Sequence, residues 1–385
     1  MRRVHVLGST GSIGRQALDV AERRRDRLVV AGLAAGSDLD GLCAQARTFR
    51  PLGLALERAA DPDAARRRLS EAAPDAEVWV GGGAAATLVR ALDADVVVNG
   101  IVGAAGLAAS LATLERGARL ALANKETLVI GGPLVRAALA RGGELIPVDS
   151  EHSAALQCLA GRPAHEVARL VVTASGGALR NHPDWRSARP DEVLAHPVWA
   201  MGARITVDSA TLFNKGLELI EAVALFDLPW ERVGAVLHPQ AIVHALVTFT
   251  DGSTLVQVAP PDMRLPIQLA LSWPEHWDEV VTPIDPRALA GLTFDELPAG
   301  RHPAFEVAVA AGRRGGTAPC VLNAVDETAV QAYLDGHIPL GRVPELLSEV
   351  LEEHTVEPVA SFEQLVEVDR WARARTREIG LAPWS

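Results

Sequence analysis

Along the first 149 residues, short apolar runs alternate with amphipathic segments. Residues 4–7, 28–34, 52–56, 77–80, 95–98 and 120–123 have the length and composition of strands. Residues 12–22, 39–49 and 84–92 repeat apolar positions at helical spacing. Strands that are apolar on both faces and alternate with helices predict a parallel, doubly wound sheet, since only cover on both sides buries them.

Beyond residues 145–148 the pattern changes. Residues 170–173 and 205–207 read as core strands separated by polar, glycine-containing loops, and 241–250 and 253–258 flank an Asp251-Gly252 hairpin turn. A helical run over 263–272 ends at Trp273-Pro274. These pieces predict a mixed sheet in an α+β domain. Residues 274–303 are rich in Pro, Asp and Glu with little periodicity and read as a linker. Helical patterns at 304–312, 319–334, 343–353 and 361–379 predict a C-terminal helical domain. The expected division is 1–149, 150–273, a linker at 274–303, and 304–385.

Aromatic residues make up only 4% of the 385, so the cores must rest on Ala, Leu and Val. A net charge of −11 argues against nucleic acid or an anionic membrane as partner, though a local basic pocket can still hold a phosphate. Cys43, Cys158 and Cys320 are far apart, which is neither a disulfide framework nor a zinc site and suits a reducing cytoplasm. The opening MRRVHVLGSTG runs straight into a strand and a glycine turn, so no signal peptide is expected. No apolar run reaches the roughly 18 residues of a membrane span. A soluble, cytoplasmic protein is expected.

The chemistry lies where strands end. Gly8-Ser9-Thr10-Gly11-Ser12-Ile13-Gly14 is a strand–turn–helix start whose glycines let a pyrophosphate approach backbone amides. Gly36-Ser37-Asp38 ends the second strand, where an adenosine ribose would lie. Ser37 suits a 2′-phosphate and Asp38 a 2′-hydroxyl, and Asp38 reads equally as a helix N-cap. Asn124-Lys125-Glu126 follows another strand and could meet a substrate hydroxyl or ketone. In Val148-Asp149-Ser150-Glu151-His152, strand spacing would turn Asp149 and Glu151 to one side. With Glu218 they would form a hard oxygen site for Mg²⁺ or Mn²⁺. Thr173-Ala174-Ser175-Gly176-Gly177 is a phosphate-binding turn in pattern, and Ser209 is similarly placed. His196, Trp199, Met201 and Gly202 sit in a long polar connection that reads as a closing flap, about 176–204. A helix over 211–226 would put Asn214 and Lys215 in its first turn, suited to an anion, with Glu218 one turn on. Its competing reading is a capped surface helix with a Lys–Glu pair.

With these residues in view, the chain resembles the 1-deoxy-D-xylulose 5-phosphate reductoisomerase family over its whole length. The shared motifs are GSTGSIG, IVGAAGL, LANKE, PVDSEH, ASGG, HPVWAMG, VDSAT, NKGLE-x-IEA, HPQ, DGS and PDMRLPIQ. The resemblance implies a Rossmann-like NADPH domain, an α+β catalytic domain with a flexible flap, a helical C-terminal domain, and a homodimer. It implies NADPH contacts at Thr10, Gly11, Ser12, Ile13, Gly36, Asn124, Glu126 and Gly202, with Met263 near the nicotinamide. Asp149, Glu151 and Glu218 would hold Mn²⁺ or Mg²⁺. Ser175, Ser209, Asn214 and Lys215 would hold the phosphate end of the substrate, with His196 at the flap and Trp199 covering it. Lys125, Ser150 and Glu151 would approach the reacting hydroxyls and carbonyl. The implied reaction is C–C cleavage and re-formation to a branched aldehyde, then hydride delivery from NADPH. Asp38 stands where the family commonly has Asn, and Thr127 where it has Ser. Two rival readings are a metal-dependent sugar-phosphate hydrolase, which would need no nicotinamide, and a non-enzymatic redox sensor, which would need no carboxylate cluster.

Overall fold

The computed structural model describes residues 1–195, 198–199, 201–278 and 280–380. The chain opens with β1 (Arg2–Leu7), α1 (Ser12–Arg23), β2 (Leu28–Ala35), α2 (Leu39–Phe49), β3 (Gly53–Leu56), α3 (Pro62–Ala72) and β4 (Glu77–Val80). It continues through α4 (Ala84–Ala91), β5 (Val96–Asn99), α5 (Leu107–Glu115), β6 (Arg119–Leu122), α6 (Glu126–Leu139), β7 (Glu144–Pro147) and α7 (Ser150–Leu159). Next come β8 (Val167–Ala174), α8 (Pro190–Val193), α9 (Ala203–Ala210), α10 (Phe213–Phe226), β9 (Val233–Leu237), β10 (Val243–Phe249) and β11 (Thr254–Val258). The last helices are α11 (Arg264–Ser272), α12 (Pro303–Arg314), α13 (Ala318–Leu334), α14 (Arg342–Glu353) and α15 (Phe362–Gly380).

Two compact units divide the chain. The first takes in residues 1–127, 134–153 and 262–282. Its seven strands are all parallel, in the order β4-β3-β2-β1-β5-β6-β7. The run of connections reverses between β1 and β5, the place where ligands collect in such sheets. Residues 262–282 belong here and not with the neighbouring hairpin. Arg24 donates to Gln268 at 3.1 Å, Arg264 pairs with Asp19 at 3.4 Å, and Arg2 donates to the Leu271 carbonyl.

Inside β1, His5 is fully buried, and among the described residues neither ring nitrogen has a hydrogen-bond partner. Its ring fits because Gly32 lies beside it, where a Cβ would come within 2.7 Å of the ring. The ring borders a cavity of about 30 Å³ lined also by Val97, Asp93 and Arg116. Burial, helped by the charges of Arg3 and Arg116, lowers its pKa to about 4.

The second unit takes in residues 128–133, 154–261 and the chain from 283 onwards. Its sheet runs β11-β10-β8-β9, with β8 parallel to β9 and antiparallel to β10. The β10–β11 hairpin turns at Asp251-Gly252, where Gly252 has φ +87°. A helical core gathers Phe213, Leu217, Val321, Val325, Tyr333 and Leu347, so the C-terminal helices and the helix carrying Glu218 share one interior. Residues 205–207, expected as a strand, lie in α9. Three consecutive β-branched or isoleucine positions fit a strand template locally, but a distant anchor decides the matter. Arg204, in the first turn of α9, donates to Asn323 and Asp326 at 3.0 Å and to Glu327 at 3.2 Å, all on α13. Arg373 of α15 closes the network on Glu327 at 2.6 Å and Asp369 at 2.7 Å. Among the described residues no helix is long and apolar enough to cross a membrane.

Two outcomes are expected. His5 binds its proton near pH 4 when folded and near its ordinary 6.5 when unfolded, so the unfolded chain holds more protons between those values. Its contribution, at most about 3 kcal/mol, is present above pH 6.5 and lost as pH falls toward 4. Urea midpoints measured from pH 7 to 5 should fall less steeply in His5→Leu than in the parent; parallel slopes would refute this. Arg204→Met leaves Asp326, 1% exposed, without its guanidinium and should cost about 3–5 kcal/mol in chemical unfolding. A loss under 1 kcal/mol would show the network to be incidental.

Candidate active site

The first unit builds a cradle at the β1/β5 reversal. Gly8 has φ +72°, and a Cβ there would lie 2.5 Å from the Gly100 carbonyl oxygen. A Cβ on Gly14 would lie 2.2 Å from the Gly8 oxygen, so α1 can press onto the turn only with glycine. Gly11 caps α1 without a side-chain hydrogen bond. The first-turn amides around Ser12 and Ile13 thus keep their donors for an anion. Thr10 precedes that turn, and Gly36 follows the neighbouring β2. Asp38 is an N-cap: its carboxylate accepts from the Gly41 amide at 2.9 Å.

Asn124 and Glu126 are buried and shape the rim. Asn124 donates to the carbonyls of Ile101 at 2.8 Å and Gly103 at 2.9 Å, and to Glu126 at 2.8 Å. Glu126 in turn accepts from the Gly103 amide at 3.1 Å. Thr127 donates to Asn124 at 2.6 Å and meets Ser110 at 2.8 Å. The expected cofactor contacts therefore fix the loop after β5 through its backbone.

β6 and β7 are neighbouring parallel strands, so the residues just past their carboxyl ends meet. Lys125 Nζ lies 2.8 Å from Asp149 Oδ2, with side chains 8% and 12% exposed. His152 Nδ1 approaches the other oxygen at 3.3 Å. Burial opposes charge on Asp149, but the Lys125 ammonium and His152 outweigh it and hold the carboxyl well below the usual range. Strand spacing does not relate Asp149 to Glu151. β7 stops at Pro147, the Asp149 carbonyl accepts from the Ser153 amide at 2.8 Å, and Ser150 opens α7. Glu151 is thus in a first helical turn, accepting from the Ser150 hydroxyl. Met263 caps α11 in this unit.

The second unit has polar groups of its own. After β8, Gly176 and Gly177 have φ +87° and +64°, and a Cβ on Gly177 would lie 2.6 Å from the Ser209 carbonyl oxygen. Ser175 and Ser209 are brought together by this backbone contact. α10 begins at Phe213, two residues later than expected, after Leu212 at φ +57°. Asn214 and Lys215 lie in its first turn, and both donate to Glu218, one to each carboxylate oxygen. Lys215 and Glu218 are 5% and 2% exposed, so the pair is buried and the surface-helix alternative fails. Gly202 caps α9, Trp199 lies with its ring 6.5 Å from that of His244, and His196 falls outside the described residues.

Sequence reasoning missed several polar groups. His152 stands one helical turn from Asp149, a spacing that could have flagged it. Glu221, fully buried three residues after Glu218, repeats the same helical signal. His238 of the HPQ motif is structural. Its Nδ1 lies 2.9 Å from the Thr293 carbonyl oxygen, and its Nε2 accepts from the Ile242 and Val243 amides at 3.2 and 3.1 Å.

Comparison with known proteins covers nearly the full chain. Residues 4–132 match the family model for 1-deoxy-D-xylulose 5-phosphate reductoisomerase, and 145–226 and 258–375 match two models of its C-terminal domains. A curated 1-deoxy-D-xylulose 5-phosphate reductoisomerase of Rhodococcus jostii is 48% identical over 98% of this chain and 94% of its own. That of Pseudarthrobacter chlorophenolicus is 45% identical over 98% of each. A crystal structure of DOX-P reductoisomerase with NADPH, fosmidomycin and magnesium superposes with a TM-score of 0.91 at 32% identity, covering 98% of both chains. One from Zymomonas mobilis with NADPH gives 0.90 at 35%, again over 98% of both. The chain belongs to the 1-deoxy-D-xylulose 5-phosphate reductoisomerase family.

Proposed function

We propose that Asp149, Glu151 and Glu218 hold the divalent cation of this enzyme, and that Ser175, Ser209, Asn214 and Lys215 hold the substrate phosphate. The activity is that of the family: NADPH- and divalent-metal-dependent isomerisation and reduction of 1-deoxy-D-xylulose 5-phosphate to 2-C-methyl-D-erythritol 4-phosphate. The observation that carries the residue assignment is the buried Lys215–Glu218 pair with Asn214 at the head of α10. It offers a carboxylate for a hard cation and, three residues before it, an ammonium for a phosphate.

The donor set fits both groups. Asp149 is kept ionised by its neighbours and Glu218 is bound by an ammonium and an amide, which suits Mg²⁺ or Mn²⁺ and not zinc. The Gly8–Gly14–Gly100 cradle, which any Cβ would fill, suits a pyrophosphate. When bound, the cation supplies Lewis-acid polarisation of the ketone and NADPH supplies the hydride.

The chain's residues do the rest. Lys125, which lies beside Asp149, would donate to the oxygen that gains charge when the C–C bond breaks. Ser150 and Glu151 hold the reacting hydroxyls. His196 and Trp199 cover the substrate, and the phosphate contributes remote binding energy that holds the reactive aldehyde away from water. We place the protein in the cytoplasm, where the buried Cys43, Cys158 and Cys320 stay reduced. We also propose a homodimer. β11 is the edge of its sheet, and Leu255 and Val256 on it are 38% and 44% exposed, as an edge awaiting a second copy would be.

Glu218→Gln should lower kcat about 10³-fold, the several kcal/mol a Lewis acid contributes, with NADPH affinity unchanged by fluorescence titration. Turnover within tenfold of the parent would remove Glu218 from the cation site. Lys215→Ala should raise KM for the sugar phosphate about 10- to 100-fold, the loss of one charge-assisted hydrogen bond. An unaltered KM would place the phosphate elsewhere.

A further inference from the structure

We propose that Arg58 gives this chain its preference for NADPH over NADH by binding the 2′-phosphate of the adenosine ribose. The inference rests on the cofactor site read above and deepens it. β2 and β3 run parallel with Ala35 opposite Leu56, and their pairing continues past both strand ends. Glu57 donates its amide to the Ala35 carbonyl at 3.0 Å and Arg58 donates to Gly36 at 2.8 Å. Arg58 is thus held beside Gly36 by the backbone. Its guanidinium also lies there, since a Cβ built on Gly36 would be 3.6 Å from Nη2. Both residues are exposed at the carboxyl edge of the sheet, where the ribose is expected.

Arg58 is a cation left uncommitted by its surroundings. Four carboxylates of the segments that follow β2 and β3 have other partners. Asp38 accepts from the Gly41 amide at 2.9 Å as the cap of α2, its carboxylate lying close over Gly41. Glu57 accepts from the Gly83 amide at 2.5 Å. Asp40 pairs with Arg68, and Asp61 caps α3 through the Ala64 amide at 2.9 Å. Among the described residues the Arg58 guanidinium makes no ion pair. Nothing therefore has to be broken for it to take a phosphate in the two-pronged geometry that guanidinium favours.

The same contacts favour the cap reading of Asp38. An acidic residue that selects NADH offers its carboxylate to a ribose hydroxyl. Here the carboxylate is folded back onto the helix that follows. Asp38 leaves a negative charge near the ribose, which a 2′-phosphate would oppose, and Arg58 supplies the compensating positive charge. Exposed Ser37 adds a hydroxyl at the same strand end.

The test is equilibrium binding to the full chain, read by fluorescence of the reduced nicotinamide, with no substrate or metal present. The parent should bind NADPH more tightly than NADH. Arg58→Met should weaken NADPH about 10- to 100-fold and NADH less than twofold. Arg58→Lys should recover part of the loss, since lysine keeps the charge without the fork. Adenosine 2′,5′-bisphosphate should lose affinity in Arg58→Met in step with NADPH, while ADP should not. Equal losses for NADPH and NADH, or no loss for either, would overturn the role of Arg58 while leaving the cofactor site intact. A parent that bound neither nucleotide would overturn the cofactor reading itself.

Discussion

Buried charge has to be paired, and two lysine–carboxylate pairs set the terms for the rest of this molecule. Lys125 meets Asp149 in the first unit, and Lys215 meets Glu218 in the second. An unpartnered ion at such depth costs several kcal/mol, so neither member of a pair could be kept without the other. An apolar pair of the same volume would serve stability as well or better. Charge at these positions is therefore more than stability asks for, and each carboxylate sits beside an ammonium. The fold must then deliver both partners. It does so by strand adjacency for β6 and β7, and by helical spacing for α10.

Close backbone approach is the complementary constraint. Where side chains carry charge inward, main chains must touch with nothing between them. Gly14 lets α1 rest on the turn after β1, and Gly177 lets the turn after β8 rest on Ser209. Gly106 does the same for Asn124, whose side chain would lie 2.5 Å from a Cβ there. Asn124 thus holds the 101–103 backbone in place. The Lys125–Asp149 pair follows β6 and β7, the Lys215–Glu218 pair opens α10, and the glycine contacts follow β1, β5 and β8.

What the sequence made legible follows the range of the interaction. The parallel sheet was readable because each strand is apolar on both faces, a property of a few consecutive residues. The spacing from Lys215 to Glu218 was readable for the same reason. Lys125 and Asp149 lie 24 residues apart, and their contact depends on β6 and β7 being neighbours, which periodicity does not reveal. Residues 205–207 carry a local strand pattern, yet Arg204 ties them as a helix to α13, more than a hundred residues away. The attachment of 262–282 to the first unit depends on Arg2 and Arg24, which no window of sequence joins to Leu271 and Gln268.

Long-range contacts also tie down part of the stretch expected as a flap. Leu179, Ala188 and Val193 are buried in the helical core of the second unit. Tyr333 donates its hydroxyl to the Ala188 carbonyl at 2.9 Å. Arg301 donates to the carbonyls of Arg180 at 2.8 Å and His182 at 3.1 Å. Lifting residues 179–193 would expose those side chains, at roughly 1.5–3 kcal/mol for each large one, and break hydrogen bonds worth about 1 kcal/mol apiece. The several kcal/mol required rivals what a bound phosphate can contribute, so moving that half would consume the binding energy that closure is meant to direct to the reaction. Residues 179–193 are thus tied into the core of the second unit, next in the chain to the turn at Gly177 that packs on Ser209.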